Sequence, residues 1–305
     1  MKQLSVFLLR AVLRLLAALP LKVHYFNARW LAWLVGGVLG YRRDVVTINL
    51  SRAFPEKKYA EIVAIKKAFY LHFSELIVET LWFGGCTEKR LRRAKLAEAV
   101  GMEEVGRLYA QAPGVVIMTG HTGNWELIGG IESFIPQGVT SCIRRDNFVV
   151  TYKRFSSAVW DDIIRYNRAA PLQCGGKYEG YVESASTLRY VIEHRNEKKV
   201  YFFNTDQSPY NGQGAGLEIE FLHQRTHTMT AAARLAQKYG FAVTYLEMAR
   251  IRQGRYELRF KTLCDDASQM SVEAIMQRYY GMLEESIQNA PANYLWSHRR
   301  WKIRV

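Results

Sequence analysis

The 305-residue chain predicts an α/β fold: a mainly parallel sheet flanked by helices, preceded by a membrane-associated helical segment. Two observations carry this reading. From about residue 95 short apolar runs alternate with helical patterns, the rhythm of strands joined by crossover helices. Before that point the periodicity is helical throughout, and its first stretch is rich in leucine. No internal repeat or low-complexity linker interrupts the chain. Residues 42–305 therefore read as one domain, and residues 1–41 as an anchor or pair of interfacial helices.

Within the first segment, Arg10 and Arg14 stand four apart on one helical face, while Leu4, Leu8, Val12, Leu15 and Leu19 fall on the other. A second run, residues 30–41, is uncharged but only a dozen residues long. A spanning helix needs about 20 apolar residues. The expected arrangement is an amphipathic helix lying in the interface, paired with the second run as a shallow hairpin. The competing one is a helix pair packed on the core. The arginines inside the apolar stretch, and the lack of an A-x-A site after it, argue against a cleaved signal peptide.

Residues 42–54 predict a short helix ended by Pro55, and residues 56–83 a long amphipathic helix stopped by Gly84-Gly85. Beyond them, strands are expected at 114–119, 139–143, 199–203, 241–248 and 256–262. Helices are expected at 124–134, 148–168, 182–194, 226–239 and 271–289.

Composition narrows the function. With 49% hydrophobic and 13% aromatic residues the chain can bury a sizeable core, which excludes wholesale disorder. A net charge of +14 and a pI near 9.6 imply an acidic partner: a membrane surface, an acidic protein or substrate, or nucleic acid. The charge is scattered and no nucleic-acid motif appears, so a membrane-anchored nucleic-acid binder is the weaker class and no nucleic-acid partner is expected. Cys86, Cys142, Cys174 and Cys264 form no CxxC pair, and none of the seven histidines sits in HExxH. Reduced thiols and no metal centre are expected.

The chemistry concentrates after the apolar run 114–119, in His121-Thr122-Gly123-Asn124-Trp125-Glu126. A histidine at the carboxyl end of a buried strand lies where open α/β sheets hold their ligands. Glu126, in the first turn of the next helix, is placed to reach back to one imidazole nitrogen. His121 would then be a general base for a hydroxyl, since no serine or cysteine nucleophile is in the motif. Arg144, expected to leave the strand 139–143, could hold a phosphate or an oxyanion, or pair with Asp146 at the surface. Asp206, in Asn204-Thr205-Asp206-Gln207, could orient a substrate or Arg144, or satisfy turn amides. The glycines of the loop 208–216 match no phosphate-binding fingerprint. In the stretch 291–302, Trp296 and Trp301 interleave with Arg299, Arg300 and Lys302. That mixture suits a lipid headgroup interface, stacking on single-stranded nucleic acid, or a segment docked on the core.

Several pieces occur together in order: Asn49-Leu50, Ala53-Phe54-Pro55-Glu56, Gly120 to Glu126, Asp206-Gln207, Thr228 with Ala231 to Ala236, and Tyr294 to Lys302. In this set the chain resembles the bacterial lipid A biosynthesis acyltransferases, the lauroyl and myristoyl transferases, from about residue 40 onward. The resemblance implies a glycerophosphate-acyltransferase-like fold. It also implies an enzyme of the bacterial inner membrane facing the cytoplasm, with no cofactor. The implied co-substrate is an acyl thioester on acyl carrier protein or coenzyme A. The implied acceptor is a hydroxyl of a phosphorylated glycolipid. Residue by residue it implies His121 as base, Glu126 as its partner, and Arg144 and Asp206 as substrate contacts, with amides near Gly123 and Asn124 at the oxyanion. Arg10, Arg14, Arg299, Arg300 and Trp301 would meet the membrane or headgroup. Related glycerolipid acyltransferases usually carry aspartate where Glu126 stands; other membrane acceptors, such as lysophospholipids and aminolipids, are the alternative substrates. The chain departs from the family at Arg144-Arg145, often Arg-Pro, and at Phe221-Leu222-His223, usually Phe-Phe-Gly. These departures bear on phosphate contacts and on the shape of the acyl pocket.

Overall fold

A computed structural model describes residues 2–172, 178–209 and 217–301, with side chains from residue 9 onward. Cys174, the loop glycines Gly212, Gly214 and Gly216, and Lys302 lie outside the described residues. Among the described residues no helix is long and apolar enough to cross a membrane.

Helices α1 (Lys2–Ala18) and α2 (Leu21–Ala32) meet at Pro20, and α2 runs on into a π-helical turn, Trp33–Val38. That turn lies against the long helix: a side chain on Gly36 would collide with Tyr70. Next come α3 (Arg43–Ala53) and α4 (Tyr59–Phe83), the latter opened by Glu61, which accepts the Lys58 N–H at 2.9 Å. The remaining elements begin with α5 (Glu88–Ala94), β1 (Ala97–Val100), α6 (Met102–Gln111), β2 (Val115–Thr119) and α7 (Ile131–Phe134). They continue with β3 (Phe148–Tyr152), α8 (Ala158–Ala169), β4 (Tyr181–Glu183), α9 (Thr187–Glu193) and β5 (Val200–Asn204). The hairpin β6 (Glu218–Phe221) and β7 (Gln224–His227) stands apart from the sheet. Last are α10 (Ala231–Tyr239), β8 (Ala242–Arg252), β9 (Arg255–Cys264) and α11 (Val272–Asn289).

Among the described residues the main sheet has seven strands in the order β1-β9-β8-β2-β5-β3-β4, and every neighbouring pair is parallel except β8–β9. The expected mainly parallel sheet is therefore present. The inner strands are apolar on both faces, as a sheet covered on two sides requires. Val116 and Met118 of β2 join α3, α10 and α11 in one core cluster, while Val115 and Ile117 join α6 and the end of α4 in the other.

One expected element moves. Residues 139–143 form no strand; Asn147 folds the segment into a turn by donating to Cys142 O at 2.7 Å and accepting from Arg144 N at 2.8 Å. The strand is instead Phe148–Tyr152, at the start of the expected helix 148–168, of which only Ala158–Ala169 is α-helical. Its composition of β-branched and aromatic residues explains this choice. Likewise the expected helices 124–134, 182–194 and 226–239 are shortened by a 3₁₀ turn at Trp125–Gly130, by β4 and by β7.

The hairpin turn carries left-handed φ values of 51° at Leu222 and 60° at His223. Leu222 is buried, and its amide donates to Glu284 at 3.1 Å. His223 is exposed and has no such tie among the described residues, so a glycine there removes strain without removing a contact seen in them. His223→Gly is expected to raise stability by about 0.5–1 kcal/mol, read as a higher chemical-denaturation midpoint at unchanged slope.

Candidate active site

Strands β2 and β5 pair in parallel with a constant offset of 85 residues, from Val115↔Val200 to Thr119↔Asn204. Continued two residues past both strand ends, that register sets His121 opposite Asp206. The carboxylate meets the imidazole there: Asp206 Oδ1 lies 2.7 Å from His121 Nδ1, and Oδ2 accepts the His121 backbone N–H at 3.0 Å. The Asp206 side chain is 3% exposed and that of His121 12%. Burial alone would push the Asp206 carboxyl up. The charge that His121 carries when protonated, its ring N–H and its backbone N–H outweigh burial and hold the carboxyl below its usual range. An ionised, acceptor-only carboxylate at Nδ1 puts the ring proton there and leaves a lone pair on Nε2. That nitrogen faces the Gln207 amide nitrogen at 3.2 Å, which donates to it. Trp125 packs edge-on to the imidazole, ring centroids 4.8 Å apart.

The expected His121–Glu126 contact gives way to another pairing. Glu126 takes both arms of Arg168 at 2.6 Å, plus the Trp125 indole N–H at 3.2 Å. Burial would raise the Glu126 carboxyl, but the Arg168 charge and hydrogen bonds, with His121 nearby, hold it low. The place at Nδ1 is already filled by Asp206. Arg168 reaches Glu126 because Gly129 allows α8 to come close; a Cβ on Gly129 would overlap the Arg168 carbonyl oxygen. Sequence reading missed Arg168; an arginine in the last turn of a helix is a common C-terminal feature and gave no distinct signal.

Other expected site residues have structural duties. The Gly123 amide is occupied, donating to Asn293 O at 2.9 Å, so it is not an oxyanion donor in this conformation. Asn124 is fully buried, donating to Glu79 at 2.8 Å and accepting from the Glu126 amide at 3.2 Å. Arg144 precedes β3 instead of leaving a strand, which places it at the amino end of the sheet, opposite the site. Its partner is Asp146, at 3.3 Å on the surface. Arg300 is 3% exposed and donates to His227 O at 2.6 Å and the Tyr280 hydroxyl at 3.0 Å, while its own carbonyl accepts from Ser208 at 2.6 Å. Trp301 stacks on Phe221 and donates to Thr226 at 2.8 Å. These two dock on the core and clamp the segment after Gln207; Arg299 alone of the three is exposed. Arg10 and Arg14 contact α8, through Asp162 and the Tyr166 hydroxyl.

The motif is supported from below by α4. His72, Glu75 and Glu79, at helical spacing, are all buried. His72 Nε2 donates to Gly123 O at 3.1 Å, and burial lowers its imidazole to about 3. Glu75 accepts from Arg250 and Gln253, each at 2.5 Å. Glu79 accepts from Tyr25 of α2, Asn124 and Tyr256, each at 2.8 Å. Three ionisable residues at helical spacing in the apolar second half of α4 were the available signal. From the other side, residues 293–295 pair with the motif through a Thr122↔Tyr294 bridge and a Leu295 N–H to His121 O bond of 3.0 Å. His298, in the same stretch, is pushed down to about 4 by burial and feels both Asp206 and His121.

An oriented histidine beyond the carboxyl ends of a parallel sheet, next to an arginine–glutamate pair, lies where open α/β folds hold their ligands. Over residues 1–303 the chain matches the family model described as bacterial lipid A biosynthesis acyltransferase. It belongs to that family, and is thereby an O-acyltransferase acting on a lipid A-type acceptor, within a family that is membrane-associated in general. Comparison with curated protein sequences finds no match.

Two outcomes follow from the scaffold. Gly123 has φ +56°, and a Cβ there would overlap the Met248 carbonyl oxygen. Gly123→Ala is expected to cost about 2 kcal/mol or more and to remove activity, read by thermal unfolding beside an acyl-transfer assay. Burial raises the Glu79 carboxyl to about 7 against its donors Asn124, Tyr25 and Tyr256. The folded state thus holds this proton more tightly than the unfolded chain, so the group's contribution to stability is complete below its ordinary value and disappears as pH rises through about 7. Glu79→Gln should shrink the stability difference between about pH 5 and about pH 8, measured as denaturation midpoints at both values; an unaltered difference contradicts the assignment.

Proposed function

We propose that the chain transfers a fatty acyl group from an acyl thioester, on acyl carrier protein or coenzyme A, to a hydroxyl of a phosphorylated lipid A precursor. The reaction takes place at the cytoplasmic face of the bacterial inner membrane. The observation that carries the mechanism is the His121–Asp206 pair, whose buried carboxylate fixes Nδ1–H and leaves Nε2 as base. The acceptor hydroxyl displaces the Gln207 amide from Nε2, gives its proton to that nitrogen, and its oxygen attacks the thioester carbonyl. Asp206 steadies the imidazolium as it forms. The tetrahedral intermediate collapses by breaking the carbon–sulfur bond, and the imidazolium returns the proton to the departing thiolate. No covalent acyl-enzyme is formed. Glu126 acts at one remove, by holding Arg168 rigid beside the motif, where its cation favours the developing oxyanion.

A membrane seat is supported by the outward faces of the first helices. Val12, Leu15 and Leu16 of α1, Phe26 and Trp30 of α2, and Trp33, Val38 and Leu39 after it are all exposed. An apolar band of this size with tryptophans suits insertion into the headgroup region. The overall charge of +14 suits an acidic carrier protein and an anionic lipid surface.

The test is an assay of purified protein with a panel of acyl carrier protein and coenzyme A thioesters and an under-acylated lipid A precursor, products read by mass spectrometry. Wild type is expected to add one acyl chain, His121→Ala none, and Asp206→Asn to lose about 10²–10⁴-fold in kcat through the wrong ring tautomer. Undiminished transfer by His121→Ala would overturn the mechanism.

A further inference from the structure

The end of α1, the start of α5 and α8 enclose an open crevice of about 430 Å³ that the mechanism does not use. Arg14 and Arg90 line it, with Thr87 and Tyr166. Arg14 stacks over the Tyr166 ring, 5.3 Å from its centroid, and donates one Nη to the Tyr166 hydroxyl at 3.0 Å. Arg90 lies 4.7 Å over Trp82, with arms on Gly85 O and Leu19 O at 3.1 and 3.2 Å. Both guanidinium groups are thus held in place by rings and neutral oxygens. Among the described residues neither meets a carboxylate, and none lines the crevice. The acids nearby in sequence are engaged elsewhere, Asp162 by Arg10 and Glu88 by Arg92. Two oriented guanidinium forks without a counter-ion, beside a hydroxyl, form a receptor for a phosphate.

Its position gives the source of that phosphate. The outward face of α1 exposes Val12, Leu15 and Leu16, and Arg14 and Ala18 of the same helix line the crevice, so a helix seated by that face would bring the crevice close to the headgroups. On its other side, two residues beyond Tyr166, Arg168 holds Glu126 of the catalytic motif. We propose that the Arg14–Arg90 crevice binds the phosphate of a lipid headgroup at the membrane surface, next to the active site. This inference rests on the membrane seat proposed above.

The test uses full-length protein and two probes. The first is flotation with vesicles of phosphatidylcholine, with or without phosphatidylglycerol. The second is the thermal midpoint in inorganic phosphate against chloride at matched ionic strength. Arg14→Gln is compared with Arg29→Gln, a control on the exposed side of α2, away from the crevice. Arg90→Lys, which retains the charge but not the fork, is the second crevice variant.

The proposal expects Arg14→Gln to weaken binding to phosphatidylglycerol vesicles about fivefold, as one basic residue contributes, and to leave binding to pure phosphatidylcholine alone. Arg29→Gln should do less, and Arg90→Lys should follow Arg14→Gln. Selective loss on anionic vesicles assigns a bilayer headgroup. Loss of phosphate-specific stabilisation without vesicles assigns a soluble or acceptor phosphate to the same crevice. Equal loss in Arg29→Gln, or no selective loss in either crevice variant, overturns it. Absence of wild-type binding to any vesicle would instead defeat the membrane seat.

Discussion

The parallel register of β2 against β5 is the constraint from which the site follows. Once the strands pair with that offset, the residues two past each strand end must face one another, and the chain has placed a histidine and an aspartate there. The register itself is fixed by two-sided burial, since a slip of one residue would exchange the inward faces of both strands and break both core clusters at once. The position of the His121–Asp206 pair is therefore enforced by hydrophobic packing far larger than the hydrogen bond it presents. Because Asp206 is buried under tyrosines and held ionised by the imidazole, the ring can neither turn over nor exchange tautomers cheaply.

Around that pair the structure spends its buried polar groups on the backbone of one loop. His72 and Glu79 on a single face of α4, together with residues 293–295 on the other side, account for Gly123, Asn124, Thr122 and His121 in turn. The Glu126–Arg168 pair closes the remaining side by fastening α8 to the 3₁₀ turn. Buried charges of this kind contribute little net stability compared with an apolar core, so their value lies in fixing one geometry. The loop is joined through Asn124, Glu79 and Tyr25 to the helix that faces outward.

Much of this was legible in the chain itself. The alternation after residue 95 gave the sheet, and the apolar run before His121 gave the strand β2 that the histidine follows. The failures share a cause: local pattern was trusted where a distant partner decides. The run 139–143 is apolar enough to be a strand, but Asn147 ties it into a turn, and so Arg144 ends up on the wrong edge of the sheet. Glu126 is close to His121 in sequence, but Asp206, 85 residues on, is the one aligned by the register. The clue was present, because both residues stand at the same distance past an apolar run. Arg300 and Trp301 have the composition of a headgroup contact, yet Phe221 and Tyr280 supply a core face that claims them first.

The dependence of the motif on residues 293–301 also sets an order of assembly. The first helices, with their apolar faces outward, leave the ribosome long before this segment. The loop that carries His121 stays without its bonding partners at Asn293, Tyr294 and Leu295 until some 170 residues later in synthesis. The brace on the loop that carries His121 is thus among the last parts of the fold to be made, long after the helices whose apolar faces point outward.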